Sequence, residues 1–135
     1  MPIQLNKQMQ ITIFKDIKET SQPFYRPVEV ILKRIQEGSS KDLVKKIRAE
    51  KNKENRNILK QKLPAICFSG TFSKRSDSAL QEHSGLICLD FDGYPSNKVM
   101  LMEKEKLSKD KYVYCVFISP SGKGLKALVK IPADA

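Results

Sequence analysis

Two carboxylates one residue apart, Asp90 and Asp92, close the apolar run Gly85-Leu86-Ile87-Cys88-Leu89 and are followed by Gly93. In an extended strand side chains alternate, so the two acids share one side while Phe91 faces the other. Adjacent carboxylates repel and are costly to desolvate, and a divalent cation relieves both penalties. Mg²⁺ or Mn²⁺ suits such oxygen ligands. A strand running into an Asp-Gly turn, with Asp92 only capping the bend, accounts for the same letters.

A second candidate is the segment Ser119-Pro120-Ser121-Gly122-Lys123-Gly124, with Lys126 two residues on. Small residues let backbone amides approach an anion, and the lysines add charge, although a glycine-rich hairpin that merely turns reads the same way. Together the acids and this loop have what nucleotidyl transfer requires. Metal ions orient the attacking hydroxyl and neutralise phosphate charge, while amides and cations hold the triphosphate. In Ser69–Asp77, Phe72 is placed to stack on a base and Lys74 and Arg75 to meet phosphate, with an ordinary surface loop as the alternative.

The elements that must position these residues follow from periodicity and breakers. Gln10–Phe14 alternates as a strand, and Ser21-Gln22-Pro23 breaks the chain after it. From Pro27, read as the first helical residue, Val28, Ile31, Leu32 and Ile35 recur at helical spacing until Gly38. Residues 39–62 hold nine Lys or Arg against three acids, a net charge of +6, and read as two helices or one broken helix. Such charge is commonly a solvated face, yet it is also the leading surface for a phosphate backbone. Ala65–Phe68 reads as a buried strand and Ser69–Asp77 as an open loop. Ser96 caps a helix over Asn97–Leu107 with Val99, Met102 and Leu107 inward, and strands follow at 112–118 and 125–131.

From Leu86 the order strand, helix, strand, hairpin, strand opens a ferredoxin-like or RRM-like unit. In that topology the third strand lies antiparallel beside the first. Ser119–Gly124 and Lys126 then share a sheet edge with Asp90 and Asp92.

The 135 residues and 40% hydrophobic content suit a single α/β (α+β) domain: a strand and basic-helix portion over 10–80, then an incomplete RRM-like portion over 81–135. A net charge of +10 attracts polyanions. No run reaches the roughly 18 apolar residues of a membrane helix, and no signal-peptide order opens the chain, so a cytoplasmic protein without membrane contact is expected. Cys67, Cys88 and Cys115 lack metal-ligand spacing and read as small core residues; His83, the single histidine, reads as a packing or hydrogen-bonding residue.

At these residues the chain resembles the archaeo-eukaryotic primase-polymerase superfamily, and more closely the primase-type N-terminal domain of VirE-like proteins of mobile elements and phages. The resemblance runs from about Ile11 to Ile131, through Phe14-Lys15-Asp16-Ile17, Leu63–Phe72, His83–Asp92 and Ile118–Lys126. It implies that Asp90 and Asp92 form the first motif and bind the catalytic Mg²⁺ or Mn²⁺. It places the second motif, commonly Ser-Gly-x-Gly-x-His, on Ser121, Gly122, Lys123, Gly124, Leu125 and Lys126, where it contacts the incoming nucleoside triphosphate with Ser119 alongside. Lysine stands at the histidine position, and it can bind a triphosphate only as a point charge. Arg75 is an additional nucleotide contact in this reading. The third motif, a further metal-binding aspartate, lies downstream of a helix in the superfamily; Asp134 is too near the second motif to serve. The resemblance further implies a truncated domain or an incomplete site, a single-stranded DNA template, a helicase domain or partner, and a role in replicating a mobile element or phage.

Two other functions fit parts of the pattern. A nucleotide- or nucleic-acid-binding module without turnover accommodates Lys126 and the missing third acid. A haloacid-dehalogenase-type phosphatase also starts from an apolar strand and Asp-x-Asp-Gly, making Asp90 a nucleophile and Asp92 the acid/base.

Overall fold

The computed structural model describes residues 9–131, a mixed α+β chain with three small antiparallel sheets and four helices. The first sheet is built on β1 (Gln10–Phe14), flanked by β2 (Phe24–Pro27) and β3 (Ala65–Cys67). Its buried Thr12 is satisfied on both counts: Oγ1 donates to the Gly70 carbonyl at 2.8 Å and accepts from the Phe72 amide at 2.9 Å. These bonds tie the second sheet to the first.

Strand β2 has no counterpart in the sequence expectation, and Pro27 ends it rather than opening the helix. Helix α1 (Val28–Glu37) buries Val28 and Ile31 and stops at Gly38. The basic segment forms two helices, α2 (Lys41–Ala49) and α3 (Lys53–Lys60). Asn52 separates them by capping α3, its side chain accepting from the Asn55 amide at 3.0 Å. Only Ile47 of this pair is fully buried, so both helices present charge outward.

The open loop expected over Ser69–Asp77 begins instead as strand β4 (Gly70–Phe72), paired with β5 (Leu80–His83). Its composition is turn-like, but pairing with β5 and the Thr12 hydroxyl order it. His83 serves as a hydrogen-bonding residue, Nδ1 accepting from the Gly85 amide at 2.8 Å.

The third sheet has the order β6 (Leu86–Phe91), β8 (Leu125–Lys130), β7 (Val113–Ile118). The antiparallel neighbour expected for the acidic strand is β8, as the hairpin topology requires. Helix α4 (Asn97–Ser108) connects β6 to β7, with Ser96 Oγ accepting from the Val99 amide at 3.2 Å. Its inward residue is Met100; Val99 and Met102, expected inside, are 40% and 62% exposed. Four consecutive apolar residues, Val99–Met102, leave the phase of a helical stripe open, and packing against β7 selects Met100.

One hydrophobic cluster draws Ile11, Val28, Ile31 and Phe68 from the N-terminal portion and Leu86 and Leu128 from the third sheet. Phe68 also meets Phe117 with ring centroids 6.4 Å apart. The portions at 10–80 and 81–131 therefore share a core. Cys88, expected in it, is exposed, on the stretch of β6 where Leu89 and Asp90 are exposed too; Cys67 and Cys115 are half-buried, and all three thiols are free. All described strand pairings are antiparallel, so the parallel, doubly wound sheet of the phosphatase alternative is not formed by these strands. No helix among the described residues is long and apolar enough to cross a membrane.

Candidate functional site

Strands β6 and β8 pair so that Asp90 faces Lys126 and Phe91 faces Leu125. Directly opposed residues share a sheet face. Lys126 Nζ accordingly reaches Asp90 Oδ1 at 2.8 Å. Phe117, opposite Lys126 on β7, extends this row, and Phe68 packs against its ring. The exposed Cys88, two residues before Asp90, borders the same pair. Burial pushes its thiol up, while Lys126 pulls it down and Asp90 pushes it up further.

Asp92 lies just beyond β6, against the glycine turn. A methyl group at Gly124 would collide with Asp92 Oδ1, stand 2.8 Å from the Phe91 carbonyl oxygen and meet Ser119 Oγ at 3.4 Å. Glycine is what lets the turn approach this carboxylate. The structure thus gathers Asp90, Asp92, Lys126, Ser119 and Gly124 at one rim.

The turn itself is closed by its own hydrogen bonds. The Gly122 amide donates to the Ser119 carbonyl at 2.9 Å, and the Ser119 amide to the Gly124 carbonyl at 2.9 Å. Ser119 Oγ accepts from the Gly124 amide at 3.2 Å and lies 3.1 Å from Ser121 Oγ, which accepts from the Lys123 amide at 3.3 Å. Of the amides that a phosphate-cradling loop would present, that of Gly122 is engaged with a backbone carbonyl, and those of Lys123 and Gly124 with serine hydroxyls through bonds at the long end of the usual range. Charge available to a ligand comes from side chains, Lys123 foremost.

Sequence reasoning assigned the basic segment to phosphate but did not name the residue that reaches this turn. Arg48, on α2, donates from Nη2 to the Ser119 carbonyl at 3.2 Å and from Nε to the Pro120 carbonyl at 3.3 Å. Gly122 adopts φ of 77°, and a side chain there would meet the Arg48 guanidinium at 3.1 Å. Lys51 and Arg56 stand with Arg48 beside Ser121 and Lys123. Charge density alone marked these residues in the sequence; their convergence depends on α2 packing on a hairpin some 70 residues later.

Arg75 is placed elsewhere. Its amide bonds the Thr20 carbonyl at 2.8 Å, and its guanidinium acts on Cys67 of the first sheet, lowering a thiol that burial raises. Among the described residues no group of three or more His, Cys, Asp or Glu side chains converges to hold a metal. Asp90 and Asp92 remain a solvent-facing pair of hard oxygen donors. Such a pair fits Mg²⁺ or Mn²⁺ where water and substrate phosphate complete the shell. Asp134 lies outside the described residues.

No curated protein and no solved structure matches the chain. A family model, that of the BT4734-like N-terminal domain, matches residues 58–135. This span is more than half of the chain and contains both acids and the whole glycine turn. The chain therefore belongs to the BT4734-like N-terminal domain family.

Proposed function

We propose that this chain is a primase-polymerase-type nucleotidyltransferase domain that uses nucleoside triphosphates on a single-stranded DNA template. The observation that carries the reading is the register of β6 on β8, which joins two carboxylates to a Ser/Gly/Lys turn at one rim. In this reading Asp90 and Asp92 hold Mg²⁺ or Mn²⁺, which supplies charge neutralisation at the phosphates when bound. Lys123 and Lys126 draw the triphosphate by charge, Gly124 leaves room beside Asp92, and Ser119 and Ser121 shape the turn. The sheet order β6-β8-β7 with α4 between its outer strands supports the RRM-like part of the resemblance. The replicative setting and the helicase partner belong to the same proposal and rest on that resemblance.

The test is incorporation of a labelled nucleotide on single-stranded DNA with Mg²⁺ or Mn²⁺, comparing the full chain with Asp90→Ala and Asp92→Ala. Metal-dependent incorporation lost in both variants supports transfer; its absence in the unsubstituted chain, across templates and both metals, overturns it.

A second reading, a binding module without turnover, is favoured by one specific contact. Lys126 Nζ already occupies Asp90 Oδ1, and a tethered ammonium there neutralises the acid without a metal. Nucleotide binding that is unchanged by chelation, with no incorporation, identifies this alternative.

A further inference from the structure

Where α2 hands over to α3, the chain forms a cavity of about 210 Å³ against the glycine turn. Its walls carry four cations, Arg48, Lys51, Arg56 and Lys123, together with Ser121 and a single carboxylate, Glu50. That carboxylate is engaged, since Glu50 Oε1 accepts from the Asn52 amide at 3.1 Å. Arg48 is engaged as well, holding the Ser119 and Pro120 carbonyls and so fixing one wall to the other.

Arg56 differs. Its Nη2 reaches the Lys51 carbonyl at 3.4 Å, but its Nε is sealed from solvent and has no hydrogen-bond partner among the described residues. A buried donor without an acceptor is costly, and a guanidinium more so, so the Arg56 head, which lines the cavity, gains from turning toward an oxygen that enters it. Excess positive charge, a serine hydroxyl and an unmet donor match a tetrahedral oxyanion with several acceptor atoms. Phosphate is that group, and arginine's planar fork suits it.

The surroundings decide whose phosphate. Eight Lys or Arg lie between Lys41 and Lys60, along both helices and the joint between them. One phosphate would leave most of this charge uncompensated. We infer that the cavity bounded by Arg48, Lys51, Arg56 and Lys123 takes one backbone phosphate of a nucleic-acid strand, and that α2 and α3 meet the neighbouring phosphates. This goes beyond the proposed transfer reaction and does not rest on it: the cavity needs neither carboxylate of the rim.

The experiment is fluorescence anisotropy of the full chain with a short labelled single-stranded DNA, in EDTA and without nucleotide, over a salt series. Arg56→Gln and Lys51→Gln are expected to weaken binding about tenfold each and to lower the slope of log affinity against log salt by about one. Lys33→Gln on α1 removes the same charge from outside the cavity and is expected to change affinity by less than about twofold. Cavity variants that behave like Lys33→Gln overturn the inference. Equal losses for polyglutamate show a general polyanion surface and overturn it also. Loss of nucleoside triphosphate binding with strand affinity intact assigns the cavity to the nucleotide's own phosphates, a third overturning result. Thermal melting checks that the variants fold, and Lys123→Gln, from the opposite wall, replaces any that does not.

Discussion

Lys126 Nζ stands 2.8 Å from Asp90 Oδ1 across a directly opposed pair of strand residues. The side chains are 32% and 59% exposed, so the ion pair contributes at most about 1 kcal/mol to stability. Its weight lies in competition, because an ammonium on that oxygen must be displaced before a divalent ion can use it. Lys126→Met is therefore expected to raise Mn²⁺ affinity several-fold while shifting the melting temperature by only a few degrees. Mn²⁺ titration followed by electron paramagnetic resonance measures this, and Asp90→Asn should abolish the gain. A lower affinity in Lys126→Met would mean that the lysine helps to build the ion site rather than blocking it.

Gly124 is where the turn comes closest to the acids. In Gly124→Ala the added methyl meets Asp92 Oδ1 and the Phe91 backbone, neither of which is the free end of a long side chain. Overpacking of this kind costs about 1–3 kcal/mol. The expected outcome is a lower urea midpoint together with weakened Mn²⁺ binding, as Asp92 is pushed from its place. Unchanged Mn²⁺ affinity in a destabilised protein would remove Asp92 from the cation site.

The grip of Arg48 on the turn predicts a local effect. Both its hydrogen bonds end on carbonyls of Ser119 and Pro120, and a lysine has no fork with which to make the pair. Arg48→Ala and Arg48→Lys should both speed hydrogen exchange at the Gly122 and Gly124 amides, whose acceptors belong to Ser119. Amides of β1 should keep their protection. Rescue by lysine would show that charge alone, not the paired bonds, holds the turn.

Alkaline pH should weaken the fold. Burial pushes the Cys115 thiol from its ordinary 9.0 up to about 11, and Tyr114 is raised by burial and by the nearby Glu29 carboxylate. The unfolded chain therefore releases these protons first as pH rises. Stability is fully present below about pH 9 and falls between pH 9 and 11. Urea midpoints at pH 8 and pH 10 measure the loss, and Cys115→Ala should show a smaller difference between them. An equal difference in the variant would assign the loss to other groups.

How much of this was legible from the letters depends on how local each signal is. Alternation and helical spacing marked β1, β6, β7, β8 and α1, and the strand order after Leu86 followed from the ferredoxin-like or RRM-like succession of elements rather than from any side chain. The meeting of Asp90 with Lys126 was legible for that reason. Strand β2 was not, because Phe24-Tyr25-Arg26-Pro27 is short, largely exposed and ends in proline, and its pairing partner lies across a break. Strand β4 hid behind loop-like residues, since its order comes from Thr12, 58 residues away from Gly70. The cavity at Arg48, Lys51 and Arg56 was visible only as net charge; which cations converge is a tertiary fact.

The shared core sets a limit on how far this protein can be trimmed. A piece cut to residues 58–135 would keep both aspartates and the whole hairpin, yet Phe68, Leu86 and Leu128 would lose Ile11, Val28 and Ile31 as packing partners. It would also lack the arginine that clasps Ser119 and most of the basic wall facing Lys123. Greasy surface laid bare in this way favours clumping over solubility. The span that the family model matches and the span that shares one core are thus different lengths of chain, and the longer one is what assays should use.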